Sequence, residues 1–158
     1  TPSKRPRRPR EDLRVSGTLL VVAGALVRDG RLLLARRPDG DPLAGFWELP
    51  GGKVEADETP EAALAREWRE ELGVEVGSSS PLTFASGAPN GRHVTLLVFL
   101  VRSIHPEPSP LGVAEIRWTT PAEASRLPLL PADRPVVEQL ASGGAGTFAP
   151  SSVLEGTS

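Results

Sequence analysis

The sequence predicts an α/β sandwich, on three observations: a well-capped helix set between strand-like segments, a long apolar strand in the middle, and a closing helix. The chain has 158 residues, enough for one core, so a single domain is expected over residues 17–141. A basic arm over 1–16 and a loose tail over 142–158 flank it. The arm is rich in Pro and Arg with almost no apolar residue, and the tail opens on Ser142-Gly143-Gly144.

The elements follow in order. Leu19–Val27 and Arg31–Ala35 are apolar runs joined by Asp29-Gly30, a favoured two-residue hairpin turn. Residues 36–45 read as a loop rich in Pro, Gly and Asp. Phe46–Leu49 is a short strand ended by Pro50. Thr59 is a good N-cap, with Pro60 at the first helical position and Glu61 in the first turn. That helix should run to Leu72, with Gly73 as its left-handed stop. Ala65, Trp68 and Leu72 recur at helical spacing and would form its buried face. Strands are expected at Leu82–Ser86, His93–Val101 and Glu115–Thr119, and a last helix over Pro135–Ala141.

Apolar and charged fractions of 39% and 24% are ordinary for a soluble protein. The absence of cysteine excludes disulfides and thiolate metal sites. Leu19–Val27 is too short to span a bilayer, so no membrane partner is expected. A secretory leader has two features in its favour, Arg7-Arg8 and the small residues Ala23-Gly24-Ala25. Glu11 and Asp12 interrupt it, however, and its removal would delete a strand, so a cytoplasmic protein is expected. The net charge is -2 but unevenly spread: six cations against two anions give residues 1–14 a charge of +4, leaving -6 for the rest. An acidic body suits metal binding and disfavours nucleic acid, except through the arm. The arm reads either as a solvated leader or as an electrostatic arm for anionic partners.

Three glutamates, Glu67, Glu70 and Glu71, stand at i, i+3 and i+4 on the predicted helix, along one face. Clustered carboxylates repel one another unless a cation joins them. Carboxylate oxygens are the ligands that hard ions such as Mg²⁺ prefer, and Mg²⁺ keeps other positions for water and substrate phosphates. Taken alone, the same residues fit a solvated helix face with an Arg66–Glu70 pair. Gly51 and Gly52, lacking Cβ atoms, let backbone approach a metal–phosphate cluster closely.

Gly52 is followed after five residues by Glu58, and after seven more by Arg66-Glu67-Trp68-Arg69-Glu70-Glu71-Leu72-Gly73-Val74. This stretch resembles, with every required position filled, the signature of the Nudix hydrolases. The resemblance implies a Nudix-type α/β/α sandwich with a mixed β-sheet between helices. It also implies Mg²⁺ (with Mn²⁺ as a substitute) held by Glu67, Glu70, Glu71 and the carbonyl of Gly51. Glu58 would support these ligands through waters, and Arg66, one turn before Glu70, would orient that carboxylate. One departure concerns the general base. Similar enzymes often have a further glutamate six residues before a tryptophan that follows the long strand, and that position is Gly112 here, counting from Trp118. Glu115 is the nearest carboxylate, either an extra ligand or base, or an exposed strand residue.

Outside that box, Phe46 to Glu55, Gly91 to Leu96 and Leu130 to Val137 are similar to the MutT-type branch, which removes damaged or surplus nucleoside triphosphates. The resemblance implies that Arg37 reaches phosphates, that Arg92 and Leu49 line the base, and that Asp133 hydrogen-bonds the base edge. Asparagine is typical of the oxidised-guanine enzyme at the last position, and aspartate looks more like the cytidine-triphosphate relatives. An ionised aspartate only accepts, so it disfavours uracil and thymine without separating cytosine from guanine. N-cap of the last helix is an equally good role for Asp133.

The expected activity is therefore Mg²⁺-dependent hydrolysis of a nucleoside triphosphate, an oxidised purine or cytidine-type one, to monophosphate and pyrophosphate. Two rivals stand beside it: hydrolysis of a nucleoside diphosphate linked to another group, of the ADP-ribose type, and a non-catalytic nucleotide-sensing module. The first needs recognition elements not seen in this chain, and the second commonly loses box glutamates, all of which are kept.

Overall fold

Asp29 and Gly30 take positive φ values of 52° and 74°, and the turn they make folds strand β1 (Leu19–Arg28) back on β2 (Arg31–Arg36). In this computed structural model residues 17–142 are described. The expected arm and all of the expected tail beyond Ser142 lie outside the described residues. Beyond the hairpin follow β3 (Trp47–Glu48), β4 (Gly51–Lys53), helix α1 (Pro60–Leu72), β5 (Glu75–Gly87), β6 (Val94–His105), β7 (Glu115–Thr119), and helices α2 (Pro121–Ala124) and α3 (Arg134–Ala141).

The sheet is mixed. Its main path runs β3-β2-β1-β6-β5, with β4 also on β1 and β7 also on β2. β1 and β6 are parallel over Leu19–Leu26 and Val94–Val101, while the other pairs are antiparallel. A central strand covered on both faces reads as a continuous apolar run, and β1 does so. Val22 and Leu26 pack with Ala63, Leu64, Trp68 and Leu72 of α1. Ala23 and Ala25 pack on the opposite face with Ala124 of α2 and Val136, Val137 and Leu140 of α3. Helices therefore cover both faces, the expected α/β/α sandwich.

α1 begins and ends as the sequence predicts. Thr59 Oγ1 accepts from Ala62 N at 3.1 Å, and Gly73 closes the helix at φ 68° with its N–H on Arg69 O. The buried face differs by one position: Ala63 and Leu64 join Trp68 and Leu72 in the core, while Ala65 is half-buried. At Gly24 of β1 a Cβ would stand 2.5 Å from the Trp68 ring, and Trp68 Nε1 donates to Pro50 O at 2.8 Å. α1 is thus locked to the segment that enters β4.

Three expectations are corrected. The strand expected at Leu82–Ser86 starts at Glu75, because the serine-rich stretch before it pairs with β6 through several register shifts. β6 runs on to His105 rather than ending at Val101. β4 and α2 were not anticipated, the first being three residues long, the second four residues with a Thr120–Glu123 capping box.

Candidate active site

β4 pairs antiparallel with β1, setting Gly51 opposite Ala23 and Gly52 opposite Val22. Both glycines are required there. A Cβ on Gly51 would run into Val22 O and lie 2.7 Å from Ala23 Cα. A Cβ on Gly52 would lie 2.5 Å from Glu67 Oε1. The two-glycine segment and the glutamate face of α1 are therefore in direct apposition, which strand pairing on one side and the Trp68–Pro50 bond on the other enforce.

Arg66 is the hub of this end. Its Nε and Nη2 bind the two oxygens of Glu58 at 2.8 and 2.9 Å, its Nη1 reaches Glu67 Oε1 at 2.8 Å, and Nη2 also donates to Lys53 O at 2.9 Å. Glu70 is a looser partner at 3.5 Å with its side chain 60% exposed. Arg66 thus makes the i, i+4 pair with Glu70 that the spacing suggests, but holds Glu58 and Glu67 more closely. Hydrogen bonds from Arg66 and from the Glu55 N–H hold the Glu58 carboxyl down at about 2, so it stays ionised.

Glu67 and Glu71 are pushed the other way. Burial raises Glu67 above the usual carboxylate range despite Arg66. Glu71 is pushed up to about 9, first by burial and then by the neighbouring charges of Glu48 and Glu67, against a smaller pull from Arg37 and the Gly51 N–H. Glu71 Oε2 is buried with no hydrogen-bond partner among the described residues. Among these residues no three acidic or imidazole side chains converge into a ready-made cage. The donor chemistry nevertheless fits a hard cation: an orphaned carboxylate oxygen on Glu71, the half-buried carboxylate of Glu67, and a backbone segment with no Cβ to obstruct it.

A cavity of about 510 Å³ adjoins this segment. Gly51, Gly52 and Lys53 line it together with Leu49, Glu48, Arg37, Asp41, Arg92 and Asp133. The four residues expected to bind substrate, Arg37, Leu49, Arg92 and Asp133, thus share one cavity. Asp133 is buried, and its Oδ1 accepts from Leu49 N at 2.9 Å. It makes no side-chain cap to α3, so the N-cap role is not the one it takes. Burial and the nearby Glu48 raise its carboxyl well above the ordinary range.

Sequence reasoning missed Glu48 and Asp41. Glu48 lies between buried Trp47 and Leu49, is itself buried, and is raised to about 7 by desolvation, with Arg37 opposing. Its signal was visible: a carboxylate inside an apolar strand needs a buried partner. Gly112 and Leu111 both donate their N–H to Glu71 O, at 3.1 and 3.0 Å, and Ser109 N–H donates to Leu72 O at 3.0 Å. The loop before β7 thus lies on the last turn of α1. Glu115 is opposite Arg36 in the sheet and pairs with Arg117 at 3.1 Å and Arg36 at 3.8 Å.

Residues 18–140 match the family model described as the NUDIX domain. The chain is 41% identical over 118 residues to the CTP pyrophosphohydrolase of Escherichia coli K12, covering 75% of this chain and 87% of that protein. It is 45% identical over 85 residues to the 8-oxo-dGTP diphosphatase of Proteus vulgaris, covering 52% and 75%. A crystal structure of a MutT NUDIX hydrolase from Burkholderia pseudomallei superposes with a TM-score of 0.69 at 35% identity, covering 77% of this chain and 97% of that one. The glycine pair, the helix it faces and the match across the folded region agree, and the chain belongs to the Nudix family.

Proposed function

We propose that this protein is a divalent-metal-dependent nucleoside triphosphate pyrophosphohydrolase, which adds water across the anhydride and yields a nucleoside monophosphate and pyrophosphate. Its role is sanitation of the cytoplasmic nucleotide pool, on an oxidised purine or cytidine-type triphosphate. The observation that carries this reading is the buried, unpartnered Oε2 of Glu71 beside Gly51, a residue that lines the same cavity as Arg37, Arg92 and Asp133. The relatives support the substrate class, one being named for CTP and the other for 8-oxo-dGTP.

Glu67, Glu70, Glu71 and the Gly51 carbonyl are the groups to hold the ion, Mg²⁺ or in its place Mn²⁺. When bound, it neutralises phosphate charge and acidifies water. Arg66 fixes Glu67 in place and ties it to Glu58 and to the Lys53 carbonyl, so the carboxylate does not have to be ordered on binding. Leu49 and Arg92 line the base, and Asp133 hydrogen-bonds its edge. Asp133 is already held by the Leu49 N–H, so the carboxyl is oriented before substrate arrives.

The test is a panel of nucleoside triphosphates, with oxidised and methylated forms included, incubated with Mg²⁺ and with chelator and resolved by chromatography. Monophosphate and pyrophosphate in equal amounts, only with the ion, is the expected result. Pyrophosphate from no triphosphate would overturn the reading.

A further inference from the structure

We propose that Asp41 is a specificity-determining positioning residue, which fixes Arg37 as a reader of neutral acceptors on the base rather than as a grip on the phosphates. The proposal rests on the triphosphate hydrolase reading above, and concerns how that site chooses among bases.

Arg37 is already spent on anions. Its Nε and Nη2 bind the two oxygens of Asp41 at 3.3 and 2.7 Å, and its Nη1 binds Glu48 Oε1 at 3.2 Å. Asp41 is not free to swing away, because its Oδ1 also accepts from Leu43 N at 2.8 Å. Its own backbone is tied twice, Asp41 N to Pro38 O at 3.2 Å and Ala44 N to Asp41 O at 2.9 Å. The loop that holds it is closed at the neck by Arg37 N on Phe46 O at 2.9 Å. The sequence Pro38-Asp39-Gly40-Asp41-Pro42 thus builds a small rigid frame whose one inward-facing product is an aimed guanidinium. Arg37, Asp41, Pro42 and Leu43 all line the cavity.

The pairing with Asp41 decides what such a guanidinium can do. One cation bound by both oxygens of Asp41, with Glu48 beside it, has no positive charge left over. A phosphate would have to compete for it with Asp41, an anion that is covalently tethered, bidentate and already oriented. A carbonyl oxygen or ring nitrogen has no such competition. A guanidinium has five N–H groups, of which three are engaged and two remain for a neutral acceptor. Lys53 and Arg92 line the same cavity and are in no ion pair among the described residues, and Lys53, next to Gly52, is a cation free to meet phosphate. With Arg37 donating and Asp133 hydrogen-bonding the base edge, a base is read by its pattern of donors and acceptors, and the pattern depends on Arg37 being held still.

Asp41→Asn is the informative variant, since asparagine keeps an oxygen for the Leu43 N–H and loses the charged second oxygen that holds Nη2. KM and kcat are measured separately over the triphosphate panel for wild type, Asp41→Asn, Asp41→Glu and Arg37→Lys, with calorimetric affinities for the nucleoside monophosphates in chelator. The expected result is that Asp41→Asn narrows the spread of KM between best and worst base by about tenfold, with kcat on the best substrate changed less than about threefold. Monophosphate affinities narrow by the same factor, Asp41→Glu restores part of the spread, and Arg37→Lys narrows it as Asp41→Asn does. An unchanged spread overturns the proposal. So does a KM that falls alike for every base, the signature of an arginine released to hold phosphates. Should Asp41→Asn melt early, Arg37→Lys gives the same comparison. A wild type that cleaves no triphosphate would sink the activity itself, and the monophosphate affinities would still decide the role of Asp41.

Discussion

The two parts of the candidate site, a glycine-and-glutamate end and an Arg37–Asp133 end, are built in different ways. The glycine-and-glutamate end comes from one continuous stretch, in which β4 leads into α1 and the spacing of a single helix sets Glu67, Glu70 and Glu71 on one face. The Arg37–Asp133 end is assembled across the chain. Asp133 reaches back 84 residues to Leu49, and Arg37 joins Asp41 to Glu48 eleven residues on. Local construction ties the glutamates together wherever the segment folds, while distant construction would let the residues proposed for the base change without rebuilding the glutamate helix. Damage at the first end should therefore remove turnover, and damage at the second should alter selectivity or stability.

The sharpest break in the comparison is Glu71→Gln. The substitution keeps the shape and removes the charge that a cation needs, so turnover should fall roughly a hundredfold or more, with melting in chelator no lower than wild type. A variant turning over at near-native rate would show that the two ends do not divide as described. Next in size is Gly52→Ala. Its methyl would stand 2.5 Å from Glu67 Oε1, so the carboxylate has to move, and activity should fall about tenfold to a hundredfold while the fold persists. Gly51→Ala is the control, because there the methyl meets the backbone of β1 and should cost stability instead.

The smallest effect concerns Asp133. Burial raises its folded carboxyl well above the unfolded value of about 3.9. The folded protein therefore holds a proton that the unfolded chain releases. Stability in chelator is full below the unfolded value and declines as pH rises toward the folded one. Asp133→Asn keeps an oxygen for the Leu49 N–H and has nothing to ionise. Its melting temperature should fall less steeply with rising pH than that of wild type, read by calorimetry in chelator across the acid-to-neutral range. Equal slopes would mean that Asp133 is not the group responsible.

What could be read from the sequence follows the same division. Thr59, Pro60 and Gly73 bound α1 by local rules, and the structure uses all three as expected. Ser78, Ser79, Ser80 and Pro81 look like a loop by composition, yet they are part of β5, because pairing with β6 overrides weak local propensity. Asp133 has the position and the following Pro135 of a helix cap, but its oxygen goes to a strand far away in sequence, a choice made only in three dimensions. Asp41 looked like turn chemistry and does make a turn to Leu43, and its second oxygen is what holds Arg37.

Ion binding itself, separate from turnover, tests the central claim most directly. Mn²⁺ titrated into wild type and into the Glu67→Gln, Glu71→Gln double variant, followed by the loss of the free-ion spin resonance signal, reports occupancy without any substrate. Saturable uptake by wild type and its loss in the double variant is the predicted result. Equal uptake by both proteins, or none by wild type even with a non-cleavable nucleotide present, would contradict the account.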